Sequence, residues 1–162
     1  MMPLQHPGLI RRLRAVALYV SLLPVVAGAE TSPVSPVNSA DGIALKGYDP
    51  VAYFTAGKPT PGMDDYTLRW KGVTYRFASA EHRERFKAEP EQYAPQYGGY
   101  CAYAMSINRI ADIDPARWTI VDGKLYLNNN LLSQTLWSVG TQGKIVSADQ
   151  HWAVFPKTAD AK

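Results

Sequence analysis

The chain has one cysteine in 162 residues, Cys101. An intrachain disulfide is therefore excluded, and the fold has to rest on packing alone. Long apolar runs are also missing. The longest apolar stretch, Ala15 to Val26, falls well short of the roughly 20 residues that span a bilayer. Charge of one sign is scarce once the N-terminus is set aside. The whole chain carries 17 Lys+Arg against 14 Asp+Glu, and three of the arginines are Arg11, Arg12 and Arg14. The remainder is balanced, which leaves no basic stripe for nucleic acid or anionic lipid. No internal repeat is visible in the sequence.

The N-terminus reads as an address. Arg11, Arg12 and Arg14 form a basic region, Ala15 to Val26 an apolar core, and Ala27-Gly28-Ala29 the small-x-small pattern of a signal-peptidase site. Arg11-Arg12 has the look of a twin-arginine signal, but Arg14 stands where that signal wants an apolar residue, so the general export route is favoured. The expectation is a signal peptide over 1–29, cut after Ala29, and a periplasmic or secreted product with no stable membrane anchor. With no cysteine near the cut, a lipoprotein is not expected. Residues 30–40, rich in Thr, Ser, Pro and Asn, read as a flexible leader. A domain over 41–155 and a short tail over 156–162 follow.

Within that domain the signals alternate. Ile43 to Leu45 reads as a short strand. Asp49 before Pro50 caps a short helix. Tyr66 to Trp70 and Val73 to Phe77 form a hairpin around Lys71-Gly72, and Thr119 to Val121 with Lys124 to Asn128 form another around Asp122-Gly123. Ser79 caps a helix running to about Lys87, with His82 and Phe86 on one face. Asn130 opens a helix whose Leu132, Leu136 and Val139 stand at core spacing. A last helix from about Gly143 puts Ile145, Ala148 and Trp152 on one stripe. The expected class is α+β, with a small antiparallel sheet built from hairpins and packed with several short helices in a single domain.

Four motifs in order carry a resemblance. They are Lys46-Gly47-Tyr48-Asp49-Pro50-Val51-Ala52-Tyr53-Phe54; Tyr75-Arg76-Phe77-Ala78-Ser79-Ala80-Glu81-His82; Pro90-Glu91-Gln92-Tyr93 leading to Tyr97-Gly98-Gly99-Tyr100-Cys101; and Trp118-Thr119-Ile120-Val121-Asp122-Gly123-Lys124. From about Gly42 to Trp152 the chain resembles the exported bacterial YHS-domain proteins. The wider YHS group is related to small metal-binding modules, some of them copper-handling. Those modules carry cysteine after Asp-Pro-Val and in Phe-Cys-Ser-x-x-Cys. The matching positions here are Ala52, Ala78 and His82, so that three-thiolate site is absent and any metal site has to be rebuilt from other residues.

The candidate ligands are Cys101, His82 and Met105. A thiolate, an imidazole and a thioether form a soft set suited to a copper ion, and Met105 stands four residues after Cys101. The competing reading makes Cys101 and Met105 plain core residues, with His82 a hydrogen-bonded histidine. A second cluster, Tyr48, Tyr53, Tyr97, Tyr100 and Tyr103, either lines a pocket for an apolar or planar ligand or serves the core. No catalytic constellation can be read. The functional expectation is a small periplasmic binding module that handles a metal ion, with a metal-handling partner. Its alternative is a non-catalytic structural or protein-interaction domain.

Overall fold

A computed structural model describes residues 33–155 and residue 157. The expected signal peptide with its cut after Ala29, and the tail apart from Lys157, lie outside the described residues.

The fold is α+β. Two strand systems alternate with six helices: α1 (Ala52–Thr55), α2 (Ala80–Ala88), α3 (Pro90–Tyr93), α4 (Ala102–Ser106), α5 (Leu131–Ser138) and α6 (Thr141–Val154). The strands make two sheets, not one. The first runs in the order β1 (Ser39–Ala40), β2 (Ile43–Ala44), β4 (Val73–Phe77), β3 (Met63–Trp70), and the second pairs β5 (Asp114–Val121) with β6 (Lys124–Asn128). Both expected hairpins form. The two inner strands of the first sheet, β2 and β4, lie parallel through Ile43 and Thr74.

The two hairpins share one register. Met63 pairs with Phe77 and Thr67 with Arg76, with an irregularity between them. Asp114 pairs with Asn128 and Trp118 with Leu127, with the same irregularity. Each position is shifted by 51 residues (63 to 114, 77 to 128). The turns obey the same shift. Lys71-Gly72 and Asp122-Gly123 both take positive φ, the conformation that two-residue hairpin turns require. So do the caps that follow. Ser79 Oγ accepts from His82 N at 3.2 Å, and Asn130 Oδ1 from Ser133 N at 2.9 Å. Upstream, two left-handed triplets, Leu45-Lys46-Gly47 and Tyr97-Gly98-Gly99, each precede a tyrosine and a short helix. The described chain thus repeats one plan twice: turn, short helix, hairpin, capped helix.

The repeated plan sorts the core. Phe86 of α2 and its counterpart Trp137 of α5 are both fully buried. Phe86 packs with Tyr75 and Phe77, and Trp137 with Tyr126 and Met105. A third cluster joins the halves: Leu45, Tyr53, Cys101, Ile113, Leu125 and Leu127. Burying each large side chain contributes about 1.5–3 kcal/mol.

Two expectations are corrected. Leu132, Leu136 and Val139 are 67%, 37% and 67% exposed. Helix α5 docks through Trp137 instead, whose indole occupies the position that Phe86 fills in α2. The outer faces differ sharply. Residues 81–87 of α2 include Glu81, Arg83, Glu84, Arg85 and Lys87, whereas residues 125–143 contain no charged side chain. The described part of the leader, from residue 33, is a strap rather than a free segment. Val37 is buried. Asn38 N donates to the Gly98 carbonyl at 2.8 Å, and its amide donates to Asp112 Oδ1 at 3.0 Å. The approach is so close that a Cβ on Gly98 would lie 2.1 Å from the Pro36 carbonyl oxygen, so only glycine fits there. In α6, Ala148 is buried, with Ile145 and Trp152 packed beside it, as the stripe predicts.

Candidate functional site

Asp49 is fully buried, yet every acceptor position on its carboxylate is used. Oδ1 takes the backbone N–H groups of Val51 at 2.8 Å and Ala52 at 3.3 Å. This is the helix-cap role expected from Asp49-Pro50. Oδ2 takes Ala78 N at 2.8 Å and His82 Nδ1 at 2.6 Å. Since a carboxylate only accepts, Nδ1 carries the proton. The other ring nitrogen, Nε2, lies 3.2 Å from Thr55 Oγ1, which is also 3.2 Å from the Val51 carbonyl. With neutral imidazole, the Thr55 hydroxyl donates to Nε2. With imidazolium, Nε2 donates and the hydroxyl turns to Val51. Either protonation state is fully hydrogen-bonded.

Asp, His and a hydroxyl in series have the order of a nucleophilic triad. Here the hydroxyl belongs to the exposed last residue of a four-residue helix. The two cavities described below exclude all three residues. The series is a staple joining α1, the end of β4 and the first turn of α2.

The other expected metal ligands stand elsewhere. Cys101, 1% exposed, precedes α4, and its Sγ donates to Asn128 Oδ1 at 3.9 Å. Asn128 also accepts from Tyr103 N. Met105 is fully buried among Tyr97, Tyr126, Trp137 and Ala148, and its carbonyl accepts from His151 Nδ1 at 2.9 Å. Cys101 and Met105 join different clusters despite their spacing of four. Cys101 has extended backbone angles (φ −60, ψ 117), so its side chain leaves the helical face that Met105 follows. Among the described residues, no group of three or more His, Cys, Asp and Glu could hold a metal ion.

The five tyrosines are also dispersed. The Tyr53 hydroxyl donates to the Pro115 carbonyl at 3.0 Å, that of Tyr97 to Asp149 at 2.9 Å and that of Tyr100 to the Ser35 carbonyl at 3.2 Å. Tyr48 and Tyr103 are half-buried, and both pack on the cluster that joins the halves. Burial pushes the Tyr53 and Tyr97 hydroxyls well above the ordinary phenol value, and the Asp149 carboxylate pushes Tyr97 further in the same direction.

Of the five, Tyr97 lines the larger of two cavities among the described residues. That cavity, about 270 Å³, opens where the two halves, the strap and the end of α6 meet, and Trp70, Tyr75, Tyr97 and Trp152 wall it. Lys71 Nζ sits 4.3 Å above the Trp70 ring and 3.0 Å from Glu91 Oε1. Lys157 Nζ sits 4.2 Å above the Trp152 ring and donates to the carbonyls of Trp152 and Phe155. Pro36 and Val37 of the strap complete one side. A second cavity, about 180 Å³, is lined by Asn38, Ser39, Ala40, Lys46 and Asp112, where Lys46 Nζ lies 2.7 Å from Asp112 Oδ2. Sequence reading passed over Trp70, Lys71, Trp152 and Lys157. Their only local signal is aromatic–lysine adjacency at 70–71, and the wall is assembled from segments more than 100 residues apart.

No family model, curated protein or solved structure matches the chain.

Proposed function

We propose that the chain is a small exported binding module of the YHS kind that takes a small organic ligand in the cavity between its halves. The observation that supports this reading is the convergence of four aromatic side chains, Trp70, Tyr75, Tyr97 and Trp152, on one open cavity. Ligand sites are concave, aromatic-lined and provided with a few polar groups. The volume of about 270 Å³ suits a ligand of one ring or two fused rings. Copper handling by Cys101, His82 and Met105 is the weaker reading. It would require Cys101 to leave Asn128, His82 to leave Asp49 or Thr55, and Met105 to leave a different cluster.

The test is a titration of the purified protein with small planar compounds, followed by tryptophan fluorescence and by ligand-observed NMR. Saturable binding that Trp152→Ala abolishes supports the module. Binding that Trp152→Ala leaves unchanged removes the cavity from consideration.

A further inference from the structure

We propose that the cavity between the halves selects a small aromatic monocarboxylate. This rests on the reading of that cavity as the ligand site and adds the chemical class of what enters.

The argument begins with charge. Two lysines and one glutamate line the cavity. Glu91 is already paired with Lys71 at 3.0 Å, and both side chains of that pair are exposed, Glu91 more so than Lys71. Lys157 has no carboxylate partner among the described residues. Its ammonium meets only neutral acceptors, the Trp152 and Phe155 carbonyls, and the Trp152 ring face. An ammonium has three N–H donors. Two are spent on carbonyls and one is left for a ligand oxygen. Asp149 receives the Tyr97 hydroxyl at 2.9 Å and is not part of the lining, so it does not neutralise Lys157 across the cavity. Among the described residues the lining thus carries one positive charge in excess, which matches a monoanion rather than a cation or a dianion.

The walls supply the rest. Trp70 and Trp152, both half-buried, offer ring surface that favours a planar ring over an aliphatic chain, and the buried Tyr75 and Tyr97 complete the wall. A carboxylate on that ring reaches Lys157 with a charge-assisted hydrogen bond, stronger than a neutral one. The ammonium stays over the indole, so its contact with Trp152 is kept when the ligand enters.

Three probes of similar size decide between ligand classes: indole-3-carboxylate, neutral indole, and benzyltrimethylammonium. Dissociation constants are measured by ligand-observed NMR on the full mature protein, with Lys157→Met and Lys157→Arg as variants. The expected result is at least tenfold tighter binding of the carboxylate than of indole, lost in Lys157→Met and retained in Lys157→Arg. Raised salt should weaken the carboxylate alone. Equal binding of carboxylate and indole, or a preference for the ammonium probe, overturns the ligand class and leaves the cavity as a binding site. A carboxylate preference that survives in Lys157→Met overturns the role given to Lys157. Failure of every probe to bind at millimolar concentration removes both the class and the site. Should Lys157→Met not fold, the comparison of the three probes on the unaltered protein decides.

Discussion

Asp49 Oδ2 lies 2.6 Å from His82 Nδ1, and through this contact the loop before α1 is fastened to the first turn of α2. The same carboxylate holds three backbone N–H groups, of Val51, Ala52 and Ala78. Asp49→Ala would leave three donors and an imidazole without their acceptor inside the fold. The expected cost is about 3–5 kcal/mol, the range for breaking a buried charged contact from one side. Asp49→Asn keeps one acceptor oxygen and should cost less. Denaturant unfolding of both variants checks the order. Equal stability of Asp49→Ala and the unaltered protein would remove the staple from the account.

Cys101 is expected to be chemically silent. With 1% exposure and its sulfur turned to Asn128, a thiol reagent should react only as fast as the protein opens. The rate should rise steeply with urea. Cys101→Ala should leave Cu(I) affinity, measured against a competing chelator, unchanged. Rapid labelling in native buffer, or a marked loss of Cu(I) binding in the mutant, would return copper to first place.

The local elements were legible where a pattern is short and self-contained. The two-residue turns Lys71-Gly72 and Asp122-Gly123 announced both hairpins, and Ser79 and Asn130 announced the starts of α2 and α5. The doubling of the plan was not legible. Across residues 63–88 and their counterparts 114–139, only Gly72/Gly123 and Tyr75/Tyr126 are identical. Register depends on the pairing of polar backbone groups and on side-chain size, so it survives when nearly every side chain changes. The candidate site was hidden for another reason. Its wall draws on the strap, β3, the residues after α3 and the end of α6, which no local spacing connects. The metal reading failed to predict the placement of Cys101 and Met105 because a spacing of four describes one face only when both residues are inside the helix.

Helix α5 offers a direct comparison of pattern with packing. Leu132 and Leu136 share a helical stripe with Val139, but they face outward, and Trp137 is the residue fully enclosed. Leu132→Lys should therefore change stability by less than about 0.5 kcal/mol, as surface substitutions do. Trp137→Ala should cost about 3–5 kcal/mol through loss of contact with Tyr126 and Met105. Thermal unfolding of the two variants side by side is the measurement. A large loss in Leu132→Lys would mean that the leucine stripe is covered in solution.

At the alkaline end, stability should follow the buried tyrosines. Burial holds the hydroxyls of Tyr53, Tyr75 and Tyr97 above their ordinary value of 10.0. The sign follows from which state keeps its proton. Below about pH 10 both folded and unfolded chains hold these protons, and the full stability is present. Above it the unfolded chain ionises while the folded one does not, so the unfolded state gains and stability falls with rising pH. The loss is complete only as pH passes the raised folded-state values. Tyr97 carries an added reason, since ionising it would set a phenolate beside Asp149. The expected observation is a cooperative alkaline transition in which tyrosinate absorbance and loss of near-ultraviolet circular dichroism coincide. Tyr97→Phe should shift that transition to higher pH, because one group that ionises only on unfolding has been removed. Gradual titration of all ten tyrosines near pH 10 with native circular dichroism retained would show that Tyr53, Tyr75 and Tyr97 are open to solvent.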